Sequence, residues 1–214
     1  MSKSKAHIIY KHNGVRVPSV TTIIGLRARP ALIKWANNLG LQGIDSSKFT
    51  DDKAVIGILA HEMILNHFKG IETDTSDYSK NQIDSAENSL LSFFSWEKGK
   101  DIKVILAEIP MTSSAGFGGT PDLYCILDGV QTLVDFKTGS GIYEPEHPAQ
   151  LAAYIQLLLD NGHPIEQGII LNIPRTENEN FDAGTYSDFS VYFQWFSTLL
   201  MLYKIESQIK KEAT

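Results

Sequence analysis

Apolar and polar positions alternate most regularly between residues 123 and 137, where two runs rich in apolar and β-branched residues flank Asp128-Gly129. That dipeptide readily takes the positive φ angles of a two-residue loop, so the pattern predicts an antiparallel β-hairpin. A two-residue loop also fixes the register. Leu127 pairs with Val130, Cys125 with Thr132 and Leu123 with Val134, and Asp122 falls opposite Asp135. Leu123, Cys125, Leu127, Val130, Val134 and Phe136 then form a buried layer on one face, while Asp122, Asp135 and Lys137 share the other.

Elsewhere the apolar period lengthens to that of helices. A helix is expected from about Thr50 or Asp51 to just before Gly70, with acids in its first turn and glycine beyond its end. Ile83, Leu90, Leu91 and Phe94 predict another from about Ser79 to Lys98, and Pro30 suits the start of a helix carrying Trp35. Strands are expected over Lys103 to Ile109 and Gly168 to Ile173, and an exposed loop over Thr176 to Gly184. Phe189, Phe193, Phe196, Leu200 and Tyr203 recur at helical spacing within Asp188 to Lys210, which reads as a core-facing stripe, with Tyr192 and Trp195 as candidate contacts. Near the N-terminus, His7 to Tyr10 and Val15 to Val17 flank Asn13-Gly14 and predict a small hairpin.

Length and composition narrow the class. A chain of 214 residues, 43% hydrophobic and free of long low-complexity runs, reads as a single α/β domain over residues 1–214. Within it, residues 30–100 suggest a helical subdomain or arch, residues 101–175 the core strands and a motif helix, and residues 185–211 a C-terminal helix. No secretory apolar region or membrane-length apolar run is evident, which favours the cytoplasm and no membrane partner. Cys125 is the only cysteine, so no disulfide framework is expected. No Walker-type phosphate loop is present, so an autonomous ATP-driven motor is not indicated.

The candidate chemistry lies on the polar face of the central hairpin. Two carboxylates directly opposed across strands repel, by about 0.2–1 kcal/mol on a solvated sheet and by more when buried. A divalent cation is the simplest reason for Asp122 and Asp135 to stand there, and hard carboxylate oxygens suit Mg²⁺ or Mn²⁺. Lys137 beside such a centre orients an attacking water or stabilises charge on a phosphate. Taken singly, Asp122 reads as a turn residue after Pro121, and Asp135 with Lys137 as a surface ion pair; their convergence on one face favours the metal site.

On these residues the chain resembles the PD-(D/E)xK nucleases, and within them the RecB-type exonuclease branch. Pro121-Asp122 and Asp135-Phe136-Lys137 match the two-part signature, and Gln150 to Tyr154 matches the Gln-x-x-x-Tyr helix. His61, within Gly57 to Glu62, stands where that branch carries a metal-binding histidine. Pro18 to Ile24 followed by Ala31 to Trp35 is also similar to phage exonucleases and the mitochondrial genome maintenance exonuclease, and the likeness spans about residues 15 to 160. It implies a restriction-endonuclease-like α/β core with a central mixed sheet flanked by helices and an N-terminal helical region. It further implies a Mg²⁺- or Mn²⁺-dependent deoxyribonuclease, more an exonuclease than an endonuclease, with Asp122, Asp135 and the main-chain carbonyl of Phe136 around the cation and Lys137 as catalytic lysine. With one cysteine, no all-cysteine iron-sulfur cluster forms, unlike in several RecB-type relatives.

Further roles follow from the resemblance and the residues together. His61 shares a helix face with Ile58, Leu65 and Phe68 and alone reads as a core histidine; the resemblance makes it a metal ligand. Glu108 is either an added carboxylate or an exposed strand-end acid. Gln150 and Tyr154, one helical turn apart, are placed to hold Lys137 or a phosphate. Ser19, Thr21, Lys34, Trp35 and Thr138 are candidate DNA contacts, although helix capping is the favoured role at Ser19, Thr21 and Thr22. The net charge of −6 argues against tight duplex wrapping, yet Arg16, Arg27, Arg29, Lys34 and Lys137 offer a local phosphate track. The expected partners are DNA with a free end and recombination or replication proteins, the compartment being the host cytoplasm if the chain is phage-encoded. A non-catalytic DNA-binding module and a structure-specific endonuclease are the alternatives.

Overall fold

A computed structural model of the chain describes residues 8–213. Strands β1 (Lys11–His12) and β2 (Val15–Arg16) pair antiparallel across Asn13 and Gly14, whose φ angles of 49° and 81° are those the tight turn demands. Tyr10 adds a further bond to Val17, and His7, where the expected strand opens, lies outside the described residues. Helix α1 (Val20–Ile24) is capped by Ser19, whose Oγ accepts from the Thr22 N–H at 3.0 Å, so capping is the role of this serine.

Helix α2 (Pro30–Leu41) begins on its proline and buries none of its residues. Helix α3 (Ser46–Lys69) starts about one turn earlier than the acidic pair Asp51-Asp52 suggests, because Asp45 caps it through the N–H groups of Ser47 and Lys48. It ends on Gly70 at φ 64°, a left-handed position that glycine takes without steric cost. Helix α4 (Lys80–Glu97) opens with a capping box between Ser79 and Gln82.

The chain then builds its sheet. Strand β3 (Ile102–Ala107) is followed by the short hairpin of β4 (Met111–Ser113) and β5 (Phe117–Gly119), which has no counterpart in the sequence reading. Strands β6 (Leu123–Leu127) and β7 (Val130–Lys137) pair with Leu127 opposite Val130 and Leu123 opposite Val134, the register that the two-residue loop predicts. Helix α5 (Glu146–Asp160) carries the chain to β8 (Gln167–Asn172), which lies parallel to β7.

Residues 176–184 are not wholly a loop: β9 (Asp182–Tyr186) pairs antiparallel with β8. Asp, Ala and Gly carry weak strand propensity, so the free edge of β8 decides this segment. The central sheet therefore has five strands in the order β3-β6-β7-β8-β9 and is mixed, and helix α6 (Ser190–Glu212) closes the chain.

Helices cover both faces. Leu123, Cys125, Leu127, Val134, Phe136, Ile169 and Leu171 pack with Ile64 of α3 and with Phe93 and Trp96 of α4. On the other face, Tyr124, Leu133 and Ile170 pack with Leu151, Tyr154 and Leu158 of α5, Ile23 of α1 and Phe196 and Leu200 of α6. Asp135 lies between Val134 and Phe136 in β7, so it points with Leu133 toward α5. Among the described residues, no helix is long and apolar enough to cross a membrane.

Candidate active site

Alternation along β7 places Asp135 and Lys137 on the α5 side of the sheet, and Asp122 immediately precedes β6. Its Oδ2 accepts the Phe136 N–H at 2.8 Å, which extends the hairpin contact by one side-chain bond beyond the regular ladder. An N–H and C=O of one strand residue point to the same side, so the Phe136 carbonyl also turns toward Asp122. From the opposite layer, α3 brings His61 Nδ1 to 3.6 Å from Asp122 Oδ1, with its ring edge-on to Phe136 at 5.6 Å.

Asp135 is fully buried, with a side-chain exposure of 0%. Lys137 Nζ approaches its Oδ2 to 2.5 Å as an ion pair, yet neither carboxylate oxygen has a hydrogen bond of proper geometry. Buried carboxylates are normally satisfied by several donors, so this one has capacity to spare. Burial pushes its pKa up to about 6; Lys137 opposes the rise and the Asp122 charge adds to it.

Asp122 behaves in the opposite sense. Burial would raise its pKa, but His61, Lys137 and the Phe136 N–H together hold it below the usual carboxylate range. For His61, burial is the largest single influence and acts downward, but the charge and hydrogen bond of Asp122 together with the Asp135 charge exceed it, so its pKa is raised. Two adjacent carboxyls with pKa values pushed apart are the arrangement expected where charge is concentrated for chemistry.

Helix α5 supplies the next layer. Gln150 Nε2 donates to Tyr154 Oη at 3.1 Å, the two side chains one turn apart as their spacing dictates. Burial and the charges of Asp135 and Asp122 push the Tyr154 phenol well above its ordinary pKa of 10, so it stays protonated. Gly119 makes this fit: a Cβ there would stand 2.6 Å from Tyr154 Cε1. Gln150 and Lys137 both line a cleft of about 650 Å³ with Thr21, Arg27, Arg29 and His147.

The structure thus brings together His61, Asp122, Asp135, Phe136, Lys137, Gln150 and Tyr154, with Thr21 at the cleft wall. Glu108 follows β3 with φ 50°, and its N–H donates to the Asp122 carbonyl at 3.0 Å. Thr138 lies beside the site: its carbonyl accepts from Arg175 at 2.8 Å, and its Oγ1 faces Gly57 of α3. Ser19, Lys34 and Trp35 do not border the Lys137 cleft; Trp35 packs edge-on to Phe49 at 5.9 Å.

Two residues at the site went unremarked in the sequence. His147 is three residues before Gln150 on the same helix, a spacing that marks a shared face. Burial, Lys137 and Arg29 press its pKa down to about 4, so its ring is neutral. Asn172 stands across from Lys137 in the β7-β8 register, and its side-chain amide lies 3.2 Å from the carbonyls of Lys137 and Gly139, which assigns the nitrogen to the end that faces them. No local pattern announces it, because the partner strand comes from a parallel crossover.

Among the described residues, no three His, Cys, Asp or Glu side chains form a ready-made metal cage. Asp122 is engaged by His61 and the Phe136 N–H, and Asp135 by Lys137. The donor set nevertheless fits a small hard cation: two carboxylates near enough to feel each other's charge, one of them fully buried with acceptor capacity beyond its Lys137 ion pair, and a main-chain carbonyl.

No protein-family model and no curated protein matches the sequence. Among solved structures, the chain is similar to the crystal structure of SSO0001, with 15% identity and a TM-score of 0.42 over 90% of this chain and 78% of that one. It is also similar to an alkaline exonuclease, LHK-Exo from Laribacter hongkongensis, with 14% identity and a TM-score of 0.41 over 75% of this chain and 84% of that one. The same exonuclease in complex with dAMP gives 12% identity and a TM-score of 0.43 over 91% and 90%. All three scores lie below 0.5, and the reading of the site rests on its own geometry.

Proposed function

We propose that the chain is a divalent-metal-dependent deoxyribonuclease that hydrolyses phosphodiester bonds, acting from DNA ends. The observation that carries the proposal is the fully buried Asp135 carboxylate, with Lys137 as its one close partner and acceptor capacity left over, beneath a cleft lined by Lys137, Arg27 and Arg29. Asp122, Asp135 and the Phe136 carbonyl would hold Mg²⁺ or Mn²⁺, with His61 orienting Asp122 or joining the ligand set and Glu108 adding a carboxylate. Such a cation, when bound, acidifies water and neutralises charge on a phosphate oxygen.

The remaining work belongs to the side chains. Lys137 Nζ, released from its ion pair when Asp135 takes other partners, donates to the attacking water and holds it in line with the phosphorus. Gln150 lines the cleft beside Lys137 and is fixed to Tyr154 by its own hydrogen bond, so it is placed as a neutral polar contact for the phosphate. Arg27, Arg29 and Thr21 meet the flanking phosphates along the cleft. DNA supplies these phosphates, and a place in recombination, repair or genome processing follows from such an activity.

The test is hydrolysis of end-labelled linear DNA beside covalently closed circles, with Mg²⁺, Mn²⁺ or EDTA, for wild type and Asp135→Asn. The proposal predicts metal-dependent loss of linear DNA alone and an inert variant. Cleavage of circles would reassign the chain as an endonuclease, and no cleavage in any lane would overturn the enzymatic reading.

A further inference from the structure

The cleft beside Lys137 continues into a second space of about 460 Å³, between the start of α2 and the loop ahead of α5. The two spaces share Arg27, Arg29, Leu32 and His147, so they are chambers of one groove. Their chemistry differs. The Lys137 chamber carries the polar groups described above, whereas the second adds Pro30, Tyr143 and Glu144 to the residues that both share, Glu146 among them. Leu32 is 49% exposed and Tyr143 52% exposed, so both are open to a ligand entering the chamber.

Tyr143 is also held in place. Its N–H donates to His147 Nδ1 at 3.1 Å, its hydroxyl is bonded to Ser140, and its ring meets that of His147 at 5.3 Å. A ring fixed before the ligand arrives loses little freedom on binding. At the junction of the chambers, Arg27 and Arg29 lie 2.9 and 3.7 Å from Glu146 Oε1, and Glu144 adds a second carboxylate to the lining of the second chamber, so its two arginines are balanced by two acids. A charge-balanced chamber lined by a fixed aromatic ring and a leucine suits a neutral base, with Lys137 of the adjoining chamber placed for the phosphate attached to it, and its volume is that of a small-ligand site.

Resting on the reading that Lys137 faces a DNA phosphodiester, we infer that the second chamber takes the unpaired base adjoining that phosphate, and that the substrate strand is single-stranded. A paired base has its faces and edges committed within the duplex and does not enter a pocket of this size. Tyr143 and Leu32 are then the specificity-determining pair, contacting the base and not the reacting atoms.

The experiment reads binding, in EDTA, by fluorescence anisotropy of a labelled single-stranded oligodeoxynucleotide and of a sugar-phosphate strand of the same length lacking every base. Wild type should bind the base-bearing strand about tenfold more tightly. In Tyr143→Ala and in Leu32→Ala that gap should shrink below about threefold. Equal binding of the two strands by wild type, parallel loss of both in the variants, equal competition by a blunt duplex, or no measurable binding of the base-bearing strand would each overturn the inference. Because turnover is not measured, an absence of hydrolysis sinks the nuclease proposal and leaves this outcome standing on its own.

Discussion

The Asp135 carboxyl keeps its proton in the folded chain up to about pH 6, whereas a free aspartate releases it near 3.8. Its burial therefore costs nothing below about pH 4, costs progressively more between these values, and above pH 6 destabilises the metal-free fold by on the order of 3 kcal/mol. Asp135→Asn removes the ionisation at nearly constant shape. In EDTA, urea unfolding should find the variant gaining stability relative to wild type as pH rises from 4 to 7, and a pH-independent difference would refute this origin. The same proton competes with a cation, so Mn²⁺ affinity measured by calorimetry should fall by about tenfold per pH unit below 6. Lys137→Ala should lower kcat by at least about a hundredfold while leaving Mn²⁺ binding in place, since the lysine acts on water and phosphate.

Elements place these residues to within a few ångströms, and the glycines before β6 are the tightest constraint. A Cβ at Gly119 would meet Tyr154 at 2.6 Å and Leu157 at 2.9 Å, so Gly119→Ala should destabilise the fold by about 1–3 kcal/mol and displace Tyr154. Chemical denaturation checks the first effect, and a loss of activity beyond the loss of folded protein checks the second. The β6-β7 register was legible from Asp128-Gly129 and strict alternation, because a two-residue loop leaves no freedom of pairing. Helix α4 was legible from its apolar period, whereas the start of α3 was missed by about a turn because Asp45 caps it ahead of any apolar repeat. Strand β9 was read as loop, since its pairing to β8 is set by an edge distant in sequence rather than by local propensity. The Asp122, Asp135 and Lys137 cluster followed from that hairpin, but the approach of His147 and Asn172 depended on the α5 crossover and the parallel pairing of β8.

At the scale of the whole molecule, a chain with a net charge of −6 binds a polyanion through a few placed cations rather than a general field. Arg27, Arg29 and Lys137 line the cleft, and about three phosphate contacts give a slope near −2 for log affinity against log salt on single strands. Replacing Arg29 with Ala should make that slope shallower by somewhat less than one, as read from anisotropy titrations at several salt concentrations. The central claim, however, is that the fold buries Asp135, with Lys137 as its one close partner, to hold a cation beside Asp122. Its most direct test is calorimetric titration of Mn²⁺ at pH 7 into wild type, Asp135→Asn and Lys137→Ala, each verified as folded. The account predicts binding to wild type and to Lys137→Ala and none to Asp135→Asn; equal binding to all three proteins, or none to wild type, would contradict it.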